Sequence, residues 1–345
     1  AKCTKASRNQ PGIGEFLNEL KRETFDRHGC VTVAEAPGVP YEGLGDFIGR
    51  NGYFSMIFDF RYADLDIASG SEWFKRREWT VKELKDKIMA SQMAVQTYGW
   101  GANFIENHDQ PRAATKYLKE AAENPSAVKM LAAMYFFLRG TPFIYQGQEL
   151  GMVNFERQSP ELFNDISSID QYQRSLEEGL DPDEALRIVN LRSRDNARTP
   201  MQWDDTAQAG FTEGTPWLGV NPNYTWLNAR EQAGRGDSVL SFYKQLIKLR
   251  HTMDILVYGT YRLLLEESGS VYAYERTLGD ERLTVLCNFT DQTQSCGLSC
   301  RDLGTDNVLI GNYPDQSGTF RGNGPALHEE GDICLRPYEA IVLTQ

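Results

Sequence analysis

Apolar residues recur along the first 150 positions with two alternating periods, one helical and one extended. Ile13, Phe16, Leu17 and Leu20 keep the i, i+3, i+4, i+7 spacing of a helix over about 12–28, with Gly29 placed to stop it. Val31 and Val33 then read as a strand that carries Glu35 at its end and is closed by Pro37-Gly38. A short helix near 41–49 leads to the aromatic run Tyr53–Phe60, a second strand ending near Asp59 and Arg61. Thr80-Val-Lys-Glu83 is a capping box, and Leu84, Ile88 and Val95 continue the helix it opens. Phe104 and Ile105 close a third apolar run. Asn124 and Pro125 open a helix over about 125–138, and Phe143-Ile-Tyr145 reads as a fourth strand.

Repeated strand–helix units predict an α/β fold with parallel strands and crossover helices. Four strands are visible, where a closed (β/α)8 barrel has eight. From 155 to 195 the pattern turns into polar helices, too long for an ordinary loop, which predicts an insertion over the site. A helix over 237–251 puts Val239, Phe242, Tyr243 and Leu246 on one face. After Asp254 the period shortens to alternating strands at Val271–Tyr274, Leu283–Leu286 and Ala340–Leu343. The expected division is therefore 1–256, α/β with the insertion, and 257–345, a small antiparallel all-β domain.

The ends of the predicted strands carry the chemistry. One ends at Glu35, another in Glu106-Asn-His108-Asp109-Gln-Pro-Arg112, and a third in Gln146-Gly-Gln-Glu149. Burying such groups costs several kcal/mol unless they pair or meet a polar ligand. In a (β/α)8 barrel the C-terminal strand ends converge on the catalytic face, so several polar ends together point to an active site. A Glu on a semi-apolar strand end near other carboxylates is expected to have its pKa raised by desolvation and like charge, as a general acid requires.

Charge narrows the partners. The formal net charge of −12 argues against nucleic acid or an anionic membrane surface. No apolar run approaches the roughly 18 residues that a membrane span needs. The N-terminus lacks the apolar region of a secretion signal, and it does not begin with Met. The six cysteines are scattered at spacings that suit zinc poorly, which reads as thiols in a reducing cytoplasm. No cofactor or metal is expected within the chain, and the sequence leaves the oligomeric state open.

Four motifs resemble one family. Val33-Ala-Glu35-Ala-Pro-Gly38, Glu106–Arg112, Gly140-Thr-Pro-Phe-Ile-Tyr-Gln-Gly-Gln-Glu149 and Arg194-Asp-Asn-Ala-Arg198-Thr-Pro-Met-Gln-Trp203 are similar to glycoside hydrolase family 13, the α-amylase family. Within it they resemble the oligo-1,6-glucosidase and α-glucosidase branch. The resemblance implies a retaining, exo-acting glucosidase acting on oligosaccharides, with Glu35 as general acid/base and Asp109 as the carboxylate gripping the sugar hydroxyls. It implies that His108 bonds the same sugar, and that Arg194, with Arg198 as the alternative, binds near the non-reducing 4-hydroxyl. Arg112 is implied to line the site, as a sugar contact or as partner to a carboxylate, and Glu149 to be structural.

The resemblance also implies an absence. The family's nucleophilic Asp lies on the strand before the helix at 12–28, and nothing upstream of Ile13 matches it. The expected fold is thus the second half, strands five to eight, of a TIM barrel followed by a small β-sandwich. The chain is expected to be a fragment of a longer enzyme, inactive alone, with open strand edges. Calcium is implied only for the absent N-terminal portion. Trehalose-6-phosphate hydrolase and sucrose-active enzymes are neighbouring readings; the first needs a basic pocket for phosphate, and no concentrated basic patch is visible near the motifs. A non-catalytic interaction domain on the same fold is the reading from another class.

Overall fold

The computed structural model describes residues 10–68, 72–305, 307–315, 320, 326–327 and 331–345. Four short strands form one parallel sheet in chain order: β1 (Val33–Glu35), β2 (Met56–Phe58), β3 (Gly101–Asn103) and β4 (Thr141–Pro142). Glu35 lies opposite Phe58, Phe58 opposite Ala102, and Asn103 opposite Pro142, so the carboxyl ends of the strands line up. Gly140 lets β4 approach β3 closely: its φ is +127°, and a Cβ there would stand 2.5 Å from the Gly101 carbonyl.

Parallel neighbours need crossover connections; Val81–Tyr98 lies between β2 and β3 and Pro125–Phe136 between β3 and β4, and the helices are built as their sequences dictate. The first long helix, α1 (Ile13–Leu20), runs on through a π-turn at Lys21–Phe25 to His28 and ends at Gly29, φ +60°. In α2 (Val81–Tyr98) the capping box is closed in both directions, with Glu83 N to Thr80 Oγ1 at 3.2 Å and Thr80 N to Glu83 Oε2 at 3.0 Å. In α3 (Pro125–Phe136) the Asn124 side chain accepts from Ser126 and Ala127, and every residue from Ala127 to Phe136 is buried. Beyond β4 come α4 (Ile166–Glu177) and α5 (Pro182–Arg192), then α6 (Val239–Thr252).

The strands are shorter than the apolar pattern suggests. Tyr53–Phe60 contributes only Met56–Phe58 to the ladder, and the fourth strand is Thr141–Pro142 rather than Phe143–Tyr145. The reason is packing. Phe58 meets Phe104 and Phe143 edge-on at centroid distances of 5.2 and 4.8 Å, and Phe60 meets Phe104 at 5.1 Å. The apolar runs thus mark an aromatic plug beyond the strand ends as well as the strands themselves.

The C-terminal part holds two antiparallel sheets. The larger is ordered β5 (Thr260–Leu264), β6 (Val271–Leu278), β7 (Glu281–Asn288), β12 (Ala340–Thr344) and β9 (Val308–Gly311). The smaller is ordered β10 (Ala326–Leu327), β11 (Asp332–Leu335) and β8 (Gln294–Ser299). Residues of both meet in one apolar cluster that includes Val271, Leu286, Ile333 and Leu343. The other face of the larger sheet packs on α3 in a core continuous with the parallel sheet. Tyr274 Oη donates to Met134 O at 2.9 Å, and the buried Arg276 donates to Phe137 O at 2.5 Å and Gly259 O at 2.7 Å.

The apolar face predicted for α1 exists, but among the described residues it is only partly covered, with Leu17 packed against the cluster that includes Ala34 and Ile48. None of its residues is buried, and Phe16 is 70% exposed. The outer edge of β1 is similar, with Val31 75% exposed. β1 and β4 are the two unpaired edges of the parallel sheet. No helix among the described residues is long and apolar enough to cross a membrane.

Candidate active site

The site is assembled at the carboxyl ends of β1, β2 and β3, with a fourth contribution from the segment after α5. Glu35 is the last residue of β1 and is exposed. Asp59 follows Phe58, the cross-strand partner of Glu35. It accepts from Tyr41 Oη at 2.8 Å and from Arg61 N at 3.0 Å. Arg61 stacks over the Tyr41 ring at 3.7 Å and donates to Val39 O, which ties the loop after β1 to the end of β2.

Asp109 sits beyond β3 on a turn closed by its own N–H, which donates to Asn107 Oδ1 at 2.8 Å. Two guanidinium groups reach it. Arg198 Nη2 donates to Asp109 Oδ1 at 2.6 Å, and Arg194 Nη1 reaches the same oxygen at 3.4 Å. His108 Nε2 lies 3.6 Å from Asp109 Oδ2, too long for a hydrogen bond. The side chains of His108 and Asp109 are 60% and 40% exposed, so both are open to a ligand.

Arg194 has a second partner that the sequence reading missed. Its Nη2 and Nε bond Asp165 Oδ1 at 2.5 and 3.1 Å, and Nη2 also reaches Ser167 Oγ at 2.9 Å. Asp165 is buried and caps α4 through Ser167 N and Ser168 N. Burial pushes the Asp165 carboxyl up, but the Arg194 and Ser168 hydrogen bonds and the charge of Arg194 outweigh it and hold it below the usual carboxylate range. Asp195 accepts from Asn164 N at 2.7 Å and Asp165 N at 3.1 Å, which locks this corner to the 194–198 segment. The sequence carried a signal for the cap alone, since an Asp directly before Ile-Ser-Ser at a helix start is an N-cap pattern.

Arg112 is placed differently from the other arginines. It is fully buried and donates to Glu106 Oε1 at 2.7 Å, Gln146 O at 2.6 Å and Asn196 O at 3.1 Å. Of its two implied roles, its surroundings support partner to a carboxylate; it has no surface to offer a sugar. Gly147, φ +84°, makes room, because a Cβ there would lie 3.1 Å from Arg112 Nη1 and 2.3 Å from Met152 Sδ. Burial raises the Glu106 carboxyl against the pull of Arg112. Burial also raises Glu149, whose Oε2 is buried with no hydrogen-bond partner among the described residues.

A cavity of about 350 Å³ opens beside β2 and is lined by Pro37, Asp59, Arg61 and Asp64, but not by Glu35 or Asp109. Those two stand on the open face of the sheet end. Among the described residues no group of three or more His, Cys, Asp or Glu side chains is arranged to hold a metal.

With Glu35 and the arginine-held Asp109 placed at the strand ends, comparison with known proteins gives the family. The model of the α-amylase catalytic domain matches residues 2–259, and the chain belongs to the α-amylase family. The oligo-1,6-glucosidase of Parageobacillus thermoglucosidasius is 40% identical over 337 residues, covering 97% of this chain and 58% of that protein. The oligo-1,6-glucosidase of Bacillus cereus is 37% identical, with the same coverage of 97% and 58%. The crystal structure of Bacillus licheniformis trehalose-6-phosphate hydrolase superposes with a TM-score of 0.86 at 34% identity, covering 97% of this chain and 60% of that one. The chain thus spans 58% of the length of these curated relatives.

Proposed function

We propose that this chain is part of a retaining, exo-acting α-glucosidase that removes terminal α-1,6- or α-1,4-linked glucose from short oligosaccharides. In this reading Glu35 is the general acid/base. Asp109, held by Arg198 and Arg194, grips the sugar hydroxyls beside His108. The single observation that carries the reading is the double arginine clamp on a half-exposed Asp109, on the same sheet end as Glu35. An ion pair kept at the surface with its carboxylate open is arranged for a polyhydroxylated ligand rather than for stability.

The four parallel strands correspond to strands five to eight of a (β/α)8 barrel. The nucleophile comes from the share of the family's length that this chain does not span. Retaining hydrolysis places that carboxylate about 5–5.5 Å from the acid/base. The reaction needs no cofactor, and the reading suits a cytoplasmic protein.

The experiment is a substrate panel of isomaltose, maltose, trehalose 6-phosphate and sucrose, run on the longer enzyme that contains this chain and the nucleophile, with Glu35→Gln as the paired variant. The proposal expects glucose release from isomaltose or maltose to fall by about 10²–10⁴-fold in the variant, the usual worth of general acid catalysis. Preferential cleavage of trehalose 6-phosphate or sucrose selects a neighbouring activity. Turnover that is indifferent to Glu35→Gln removes Glu35 from its role, and Asp59 then becomes the carboxylate to test.

A further inference from the structure

The connections after β2 and β3 meet α5 around a second cavity, of about 440 Å³, that none of Glu35, His108, Asp109, Arg194 or Arg198 lines. Its volume lies in the range of small-molecule sites. Its wall carries five cations (Arg76, Arg77, Lys116, Lys119 and Arg187) against three carboxylates, in a chain whose formal net charge is −12. These cations come from three separate segments and are gathered only by the fold.

Four of the five cations have protein partners. Lys119 bonds Glu78 at 2.9 Å, Arg187 bonds Glu184 at 2.6 and 2.7 Å, Arg77 pairs with Glu83, and Lys116 reaches Gln110 Oε1 at 2.8 Å. Arg76 differs. Its Nε is buried with no hydrogen-bond partner among the described residues, and its charge acts on Asp66 and Glu78 only through space. The side chain as a whole is only partly buried and lines the cavity, so the rest of its guanidinium is what an acceptor there can reach.

A second oddity sits on the same wall. Lys119 is a non-glycine residue with φ +52° and ψ −117°, a sparsely populated conformation. It holds Lys119 near the face of Trp79, with Nζ 5.9 Å from the ring centroid. Trp79 lines the cavity and is braced by Tyr117 at a centroid distance of 6.0 Å. The Lys119–Glu78 pair is solvent-exposed, 48% and 85%, and such pairs are worth little, so an anion can take Lys119 over.

We infer that this cavity binds a small sugar phosphate, with Arg76 and Lys119 taking the phosphate and Trp79 flanking the sugar. The guanidinium fork matches phosphate oxygens, and an indole face beside them suits a sugar ring better than a bare anion. The site is separate from the glycosidic one and does not depend on the activity proposed above.

The test is calorimetric titration of the full chain with inorganic phosphate, glucose 6-phosphate and glucose. Arg76→Gln, Lys119→Gln and Asp109→Asn are titrated alongside it. Glucose 6-phosphate is expected to bind more tightly than inorganic phosphate. Arg76→Gln and Lys119→Gln should each weaken both by about tenfold, the equivalent of one good charged contact, while Asp109→Asn leaves both unchanged. Lys119→Gln alters an exposed side chain, so it keeps the test valid if Arg76→Gln fails to fold. Absence of phosphate binding, or equal binding in both cavity variants, overturns the site. Equal affinity for the two phosphate ligands overturns the sugar-phosphate assignment.

Discussion

Arg198 holds Asp109 from two sides: its Nη2 bonds Asp109 Oδ1 at 2.6 Å, and its Nε bonds the backbone carbonyl of His108 at 2.9 Å. One planar group thus fixes both the carboxylate and the turn that presents it. Arg194, the first choice from sequence, instead spends its shorter bonds on Asp165. Lysine has no second donor in that geometry. Arg198→Lys should therefore weaken the binding of a glucose-mimicking inhibitor by roughly 10–100-fold, the worth of one or two charged hydrogen bonds. Chemical unfolding should show little change in stability for the same variant, since the Asp109 and Arg198 side chains are 40% and 28% exposed.

The Glu106–Arg112 pair should behave in the opposite way. Both side chains are essentially inaccessible and 2.7 Å apart. Arg112→Met leaves Glu106 buried without its counter-charge, which costs about 3–5 kcal/mol. Urea unfolding is the measurement, and Arg112→Met/Glu106→Gln should recover part of the loss.

Asp165 links the insertion to the site. Its folded pKa is depressed, so its stabilisation is present above the ordinary carboxylate value and is lost as pH falls through the folded value. Hydrogen exchange in Ile166–Glu177 should therefore accelerate as pH falls below about 4, the unperturbed Asp range, beyond the intrinsic effect of pH on exchange. Asp165→Ala should show the faster exchange at neutral pH and lose about 1–2 kcal/mol from the cap alone.

Lys129 gives a slope of the same sign in a higher pH window. It is buried, and burial lowers its pKa to about 8, with Asp237 O accepting from Nζ at 3.1 Å. Between pH 8 and the unfolded value near 10.4 the unfolded chain binds the extra proton, so stability rises with pH across that window. The gain from this residue is at most roughly 3 kcal/mol. Lys129→Met should flatten the rise in stability from pH 8 to 10, read by urea unfolding at each pH.

The sequence made the strand ends legible because Glu35 and Asp109 each follow an apolar run that stops at turn-forming residues. The helices were legible through local signals, the Thr80–Glu83 box and the Asn124-Pro125 start, which act within one turn. What it hid depends on contacts distant along the chain. Phe104 and Phe143 look like strand residues but pack beyond the ladder, since periodicity cannot separate a strand from an aromatic plug. Asp165 holds Arg194 from 29 positions away, and no local pattern announces that contact. The burial of Arg112 and the exposure of Glu35 were hidden for the same reason, because desolvation belongs to the assembled fold. The cations of the second cavity come from three segments and look dispersed when read in order.

The most direct test is calorimetric titration of an iminosugar α-glucosidase inhibitor into this chain and its Asp109→Asn variant. Binding requires the sugar-gripping groups but not the nucleophile, so it probes the site itself. The account predicts saturable binding by the unmodified chain and at least about 100-fold weaker binding by Asp109→Asn, a difference near 2.7 kcal/mol. Equal affinity in the two proteins, or none in the unmodified chain, would contradict the assignment of a sugar site to the end of β3.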